Sequence, residues 1–181
     1  GFDVDASALQ RAQKMGVIDV AAPSVAAAVA HADLVLLAVP VGAMADVLAQ
    51  LAPHLPAHAV LTDVGSTKAS VIAAARAALS PAQQTRFVPA HPIAGREQPG
   101  VEAAAVELFK QRWVITTPEH DTAPDALNAI EGLWSACGAQ LQRMSAAEHD
   151  EIFAAVSHLP HLLAFALVAR MAAAPDGARK L

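Results

Sequence analysis

Asp33-Leu34-Val35-Leu36-Leu37-Ala38-Val39-Pro40 is the stretch that decides the fold class. An unbroken apolar run of strand length, stopped by a proline, fits a strand covered on both faces of a sheet. Working outward, helical stretches flank it. On the N-terminal side, Ser7 to Met15 reads as a helix closed by Gly16, Val17 and Ile18 as a short extended piece, and Pro23 to Ala30 as a second helix. Gly1-Phe2-Asp3 reads as the end of a strand. On the C-terminal side, Val41 to Leu51 is helical, Ala59 to Val64 is a strand, and Ser66 to Leu79 is a helix ended by Ser80-Pro81. Arg86 to Ala90 is a strand that runs into a loop holding Pro92, Gly95, Pro99 and Gly100. Trp113 to Thr117 and Ala139 to Met144 are strands around a helix, Pro124 to Cys137, with Pro at its first turn and Gly138 past its end.

Strands alternating with helices at this spacing predict an α/β domain of Rossmann type with a mainly parallel sheet. From Ser145 to about Ala174 the pattern is helical with no strand after it. The boundary is therefore placed at residues 144 and 145. Residues 1–144 form the α/β domain, and 145–181 begin an all-helical one. The first and last residues, Gly1 and Leu181, both read as points where a longer chain has been cut.

Composition narrows the function classes. Of 181 residues, 55% are apolar and only 16% charged, enough for a sizeable core and unlike a disordered tail. The formal net charge of −5, with no Lys or Arg block, argues against nucleic acid as partner, because phosphate binding needs clustered cations. No uninterrupted apolar run approaches the roughly 18–20 residues that span a bilayer, so no membrane is expected. A lone cysteine, Cys137, excludes an internal disulfide and fits a cytoplasmic setting.

Open parallel sheets bind ligands at the carboxyl ends of their strands. Four such ends carry residues of interest here. Asp3, with Asp5 as its competitor, could hydrogen-bond a ribose or simply make a turn. Ala38-Val39-Pro40 presents a small residue that lets a ligand approach the backbone. Asp63-Val64-Gly65-Ser66-Thr67-Lys68 offers a tight turn, and Ser66 or Thr67 could cap the next helix; that leaves a polar group to spare. Ala90-His91-Pro92-Ile93-Ala94-Gly95-Arg96-Glu97 places a histidine where acid–base chemistry is well served. Further on, His158 and His161 in Ser157-His158-Leu159-Pro160-His161 lie one turn apart, with Pro160 expected to kink the helix. They lack the Glu and the spacing of a zinc-protease helix, and no metal is assigned.

These segments, together with Gly16-Val17-Ile18-Asp19 and Val156, resemble the prephenate/arogenate dehydrogenase (TyrA) family in order and spacing over nearly the whole chain. His-Pro-Ile-Ala-Gly and Ser-His-Leu-Pro-His are the specific carriers. The resemblance implies an NAD-dependent oxidoreductase of tyrosine biosynthesis that oxidatively decarboxylates prephenate or arogenate. It implies that Asp3, Val39, Pro40 and Ser66 face NAD, that His91 takes the proton of the substrate's ring hydroxyl, and that Ser66 hydrogen-bonds that hydroxyl. His158 and His161 would face the substrate from the helical domain, and Glu97 would lie at the pocket rim. It further implies a homodimer built through the helical domain. The family's first strand and Gly-x-Gly-x-x-Gly turn would precede Gly1, and its substrate-binding Arg would follow Leu181. Two other readings remain: a different Rossmann-type dehydrogenase or reductase of a small acid, and a nucleotide-binding module without catalysis.

Overall fold

The computed structural model describes residues 1–95, 98 and 100–173. The strands are β1 (Leu34–Leu37), β2 (Val60–Asp63), β3 (Phe87–Val88), β4 (Ala90–Pro92), β5 (Trp113–Thr116) and β6 (Gln140–Arg143). The α-helices are α1 (Ala6–Lys14), α2 (Val25–Val29), α3 (Met44–Leu51), α4 (Ala69–Ala78), α5 (Pro81–Gln84), α6 (Pro124–Ala136), α7 (Ala146–Phe153) and α8 (Leu159–Ala172).

Strands β1, β2 and β3 pair in parallel, with Leu37 opposite Asp63 and Thr62 opposite Val88. Pro89 then interrupts the ladder, and the same chain continues as β4. This strand pairs antiparallel with β5, which pairs in parallel with β6. Thr62 Oγ1 donates to Val88 O at 2.7 Å, and Thr117 N to Pro89 O at 3.0 Å. The 87–92 segment therefore joins two three-stranded ladders into one mainly parallel sheet. The Rossmann-like expectation is met, with the β4–β5 pairing as the antiparallel exception, so that β5 and β6 run opposite to β1–β4.

Alternation along the strands divides the core between two faces. Leu37, Leu61 and Phe87 pack with Met44, Leu48, Leu51, Val71 and Ala75 of α3 and α4. Val60, Val88, Ala90 and Val114 pack with Ala126, Ile130 and Trp134 of α6. Each buried Leu, Val or Ile contributes about 1.5–3 kcal/mol, so these two faces hold the strand ends in register. Local signals set the helix ends. Ser80 and Gln83 form a capping box before α5, Ser145 accepts from Glu148 N to open α7, and Gly138 takes φ +77° after α6.

Several expectations are corrected. Gly1-Phe2-Asp3 is not a strand: Gly1 bonds to Val20 O and Ala22 N, and Asp3 Oδ1 accepts from Asp5 N at 2.8 Å, turning the chain into α1. Strand β1 is less enclosed than its apolar run suggests. Leu36 is 39% exposed, and β1 is a sheet edge among the described residues. At Pro160, where a kink is expected, helix runs on without a break, and a π-helical turn at Ala154–His158 just before it takes up the missing N–H. Helix continues from Ala146 to Ala172, and its most apolar 18-residue stretch has a mean hydropathy of 1.9, long and apolar enough by those measures alone to cross a membrane. Counting uninterrupted apolar runs missed it, since His and Pro punctuate the helix. Leu159, Leu162, Leu163, Phe165, Leu167, Val168 and Met171 are all exposed along it.

Candidate active site at the carboxyl edge of the sheet

Parallel pairing brings Ala38, Val64 and His91 to one edge of the sheet. Asp63, at the end of β2, is fully buried. Its Oδ2 accepts from Gly65 N at 2.7 Å and from Lys68 Nζ, and its Oδ1 accepts from Ala90 N at 3.2 Å. Lys68 Nζ also donates to Ala90 O at 2.7 Å. Both side chains are completely enclosed. Burial pushes the Asp63 carboxyl up, against the pull of Lys68, and pushes the Lys68 ammonium down, against the pull of Asp63. Gly65 is required for this packing: a Cβ there would lie 2.9 Å from Asp63 Oδ2 and 3.3 Å from Val41 Cγ2. Lys68 is therefore a structural cation that fixes the height of Ala90 and His91. Of the polar groups that the sequence reading leaves here to face a ligand, Ser66 is exposed beside Gly65.

The cap of α4 is the second surprise. Neither Ser66 nor Thr67 supplies it; Thr67 Oγ1 is bonded to Ser70 Oγ at 2.8 Å. Asp150 reaches over from α7, accepting from Lys68 N at 2.8 Å and Ala69 N at 2.9 Å. A carboxylate at a helix N-terminus satisfies free N–H groups and complements the dipole. Burial alone would raise Asp150, but these two backbone bonds and His149 hold it below the usual carboxylate range.

Asp150 Oδ1 also meets His149 Nδ1 at 2.8 Å, and His149 Nε2 meets His91 Nδ1 at 2.8 Å across 58 residues of sequence. Phe153 lies against both imidazoles, with ring centroids 5.1 Å from His91 and 4.6 Å from His149. His149 reads as a solvated helix residue in the sequence; it is in fact completely buried. Burial lowers its affinity for a proton, opposed by Asp150. His91 is lowered to about 4, by burial first and then by the neighbouring His149, Lys68 and His158, with Asp150 opposing. A neutral imidazole held at the ligand-binding edge of a sheet is suited to accept a proton.

The other nominated residues fall into two groups. Asp3, Val39 and Pro40 line one groove of about 510 Å³, between Gly1–Val4 and β1. His158 is half-buried beside His91, whereas His161 is exposed on α8. Glu97 lies outside the described residues. Among the described residues no three His, Cys, Asp or Glu side chains group as a metal site. His149, Asp150 and Phe153 are the site residues that sequence reasoning missed. Their only local signal is an adjacent His and Asp in the second turn after a Ser cap.

Residues 1–143 match the family model described as prephenate dehydrogenase, nucleotide-binding domain, and residues 145–181 match prephenate dehydrogenase, dimerization domain. The chain belongs to the prephenate dehydrogenase family. It is 38% identical to the cyclohexadienyl dehydrogenase of Zymomonas mobilis over 92% of this chain and 56% of that one. It is 37% identical to the prephenate dehydrogenase of Bacillus subtilis over 93% of this chain and 45% of that one. Among solved structures, it superposes on Aquifex aeolicus prephenate dehydrogenase in complex with hydroxyphenyl propionate and NAD+. There the TM-score is 0.89 and the identity 32%, over 98% of this chain and 61% of that one. Synechocystis arogenate dehydrogenase gives a TM-score of 0.82 at 28% identity, over 98% of this chain and 62% of that one. The chain thus spans about half the length of its prephenate and cyclohexadienyl dehydrogenase relatives.

Proposed function

We propose that the protein is an NAD-dependent dehydrogenase that oxidatively decarboxylates prephenate, or its amino counterpart arogenate, for tyrosine biosynthesis in the cytoplasm. The observation that carries this reading is His91: an imidazole kept neutral, at the carboxyl edge of a nucleotide-binding sheet, in a chain of this family. The fit to a dinucleotide rests on the groove that Asp3 shares with Val39 and Pro40. An acidic group there would bond the adenosine ribose and repel a 2′-phosphate. When bound, NAD+ supplies the hydride acceptor.

The chain's own residues then have defined tasks. Ser66 would hydrogen-bond the ring hydroxyl and hold it toward His91. As the carbon bearing that hydroxyl loses hydride, His91 Nε2 would take the hydroxyl proton, and the C–O bond becomes a carbonyl. The ring carbon across from it then releases its carboxylate as CO₂, and its bonding pair completes an aromatic ring. Positioning and one proton transfer are the protein's share of the work. His161, His158 and Glu97 would meet the substrate's polar groups from the helical side. The division at residues 144 and 145 is supported by where the two family models meet. The dimerization-domain match favours a second copy, rather than lipid, as cover for the apolar face of α8. The test is an assay of the full-length enzyme with NAD+ and either substrate. NADH formation matched by CO₂ release is expected; failure to reduce NAD+ with both would overturn the reading.

A further inference from the structure

The row Asp150–His149–His91 is continuous, with both links at 2.8 Å, and with both imidazoles neutral only one arrangement of protons satisfies it. An ionised carboxylate can only accept, and Asp150 is already fixed by Lys68 N and Ala69 N. His149 must therefore donate from Nδ1. A neutral His149 then carries its lone pair on Nε2, so His91 must donate from Nδ1. That leaves the lone pair of His91 on Nε2, which makes no hydrogen bond among the described residues. Neutral imidazole in water favours the opposite tautomer, with the proton on Nε2, which would blunt His91 as a base.

We infer that Asp150 and His149 are positioning residues that select the Nδ1–H tautomer of His91 and so expose its Nε2 as the base. The inference rests on the function proposed above. When His91 receives the substrate proton, its Nδ1–H remains directed at His149 Nε2, and the charge is met at the far end by Asp150. No proton needs to leave His91 along the row. The other titratable groups around it do not compete for this role: Lys68 is occupied by Asp63 and Ala90 O, and no hydrogen bond joins His158 to His91 among the described residues. Because Asp150 also caps α4, the same carboxylate ties the tautomer to correct seating of α7 on the nucleotide-binding domain.

The direct test is ¹⁵N NMR of histidine-labelled full-length enzyme near neutral pH, which reads the tautomer of each imidazole. His91 and His149 are both expected as Nδ1–H. Asp150→Asn presents an amide that can donate to His149 Nδ1, which reverses both tautomers. It should lower kcat on the order of 10²-fold or more, leave KM and NAD+ affinity near wild type, and move His91 to Nε2–H. His149→Gln, which can still accept from His91 Nδ1, should recover part of the rate that His149→Ala loses. A wild-type His91 found as Nε2–H overturns the inference even if a variant fails to fold. So does an Asp150→Asn enzyme with unchanged kcat. His91→Asn and the wild-type assay separate the levels: a wild-type enzyme that fails to reduce NAD+ overturns the proposed function; a His91→Asn enzyme that keeps its rate overturns His91 as the base; and if His91→Asn alone loses its rate, only the positioning role of Asp150 and His149 falls.

Discussion

The Asp63–Lys68 pair and the Asp150–His149–His91 row meet at the same short strand, and they differ in one respect. The pair is closed. Asp63 receives Lys68 Nζ, Gly65 N and Ala90 N, Lys68 Nζ also reaches Ala90 O, and neither side chain sees solvent. The row is open at one end, where His91 Nε2 has no partner among the described residues. A polar system with every group satisfied fixes geometry, whereas one with a free lone pair at a ligand-binding edge can do chemistry. Both systems contain strongly perturbed groups, so perturbation alone would not have told them apart.

The sharpest way to break this comparison is to remove the open end. His91→Asn keeps a hydrogen-bonding group of similar reach but no base. In full-length enzyme it should cost about 10²–10⁴ in kcat, with NAD+ affinity and melting temperature close to wild type. Steady-state kinetics with a cofactor-binding titration checks this; near-full turnover would remove His91 from the chemistry.

The closed system should fail in the complementary way. Lys68→Met leaves Asp63 enclosed without its cation. Breaking a buried pair from one side typically costs about 3–5 kcal/mol, an upper figure here because Asp63 can take up a proton. Chemical denaturation should show that loss, while turnover per folded molecule falls far less than in His91→Asn. A Lys68→Met enzyme that is fully stable but inactive would place Lys68 in the chemistry and erase the distinction.

The fold was legible from short-range signals, and of the open system only His91 was. The apolar runs at β1 and β2, Gly138, the helical start at Ser145 and the Pro at the start of α6 each act within a few residues, so sequence order suffices to read them. His91 was legible because it follows a strand and precedes Pro92. His149 was misread because its burial depends on His91 and Phe153 closing around it. The 58-residue link between the histidines has no periodicity to betray it. The structural role of Lys68 is hidden for the same reason: its partner Asp63 is near in sequence, but Ala90 O, which completes its shell, is not.

A pH profile sharpens the comparison further. An unperturbed histidine predicts loss of base-dependent rate at about pH 6–7. With His91 lowered to about 4, chiefly by burial, the neutral base persists to much lower pH, and kcat/KM should hold until pH falls through about 4. Stability moves first. The unfolded chain binds this proton at about 6.5, before the folded one does. The stability His91 contributes is therefore present above that value and lost progressively as pH falls from about 6.5 to about 4. A rate limb at 6–7 would show that His91 is less enclosed in the working enzyme.

The smallest expected effect is at the exposed rim, where two carboxylates compete for one role. Asp3 and Asp5 both lie ahead of α1, but their bonds differ. Asp5 Oδ1 accepts from Ser7 N at 2.8 Å and Ser7 Oγ at 2.7 Å, so it is committed to capping the helix, and the Ser7 bonds draw its carboxyl below the usual range. Among the described residues Asp3 accepts only from Asp5 N, and it lines the groove with Val39 and Pro40. Asp3→Asn retains an oxygen for Asp5 N and removes only the charge. Between exposed charges in water the repulsion is worth on the order of a fivefold change in binding. Asp3→Asn should therefore narrow the preference for NAD over NADP by about that factor and leave the melting temperature unchanged. Asp5→Ala should do the reverse, fraying α1 while leaving the preference intact. If selectivity instead follows Asp5, the helix cap and the ribose contact would have to be one group, and the groove beside Asp3 would lose its assigned part in cofactor choice.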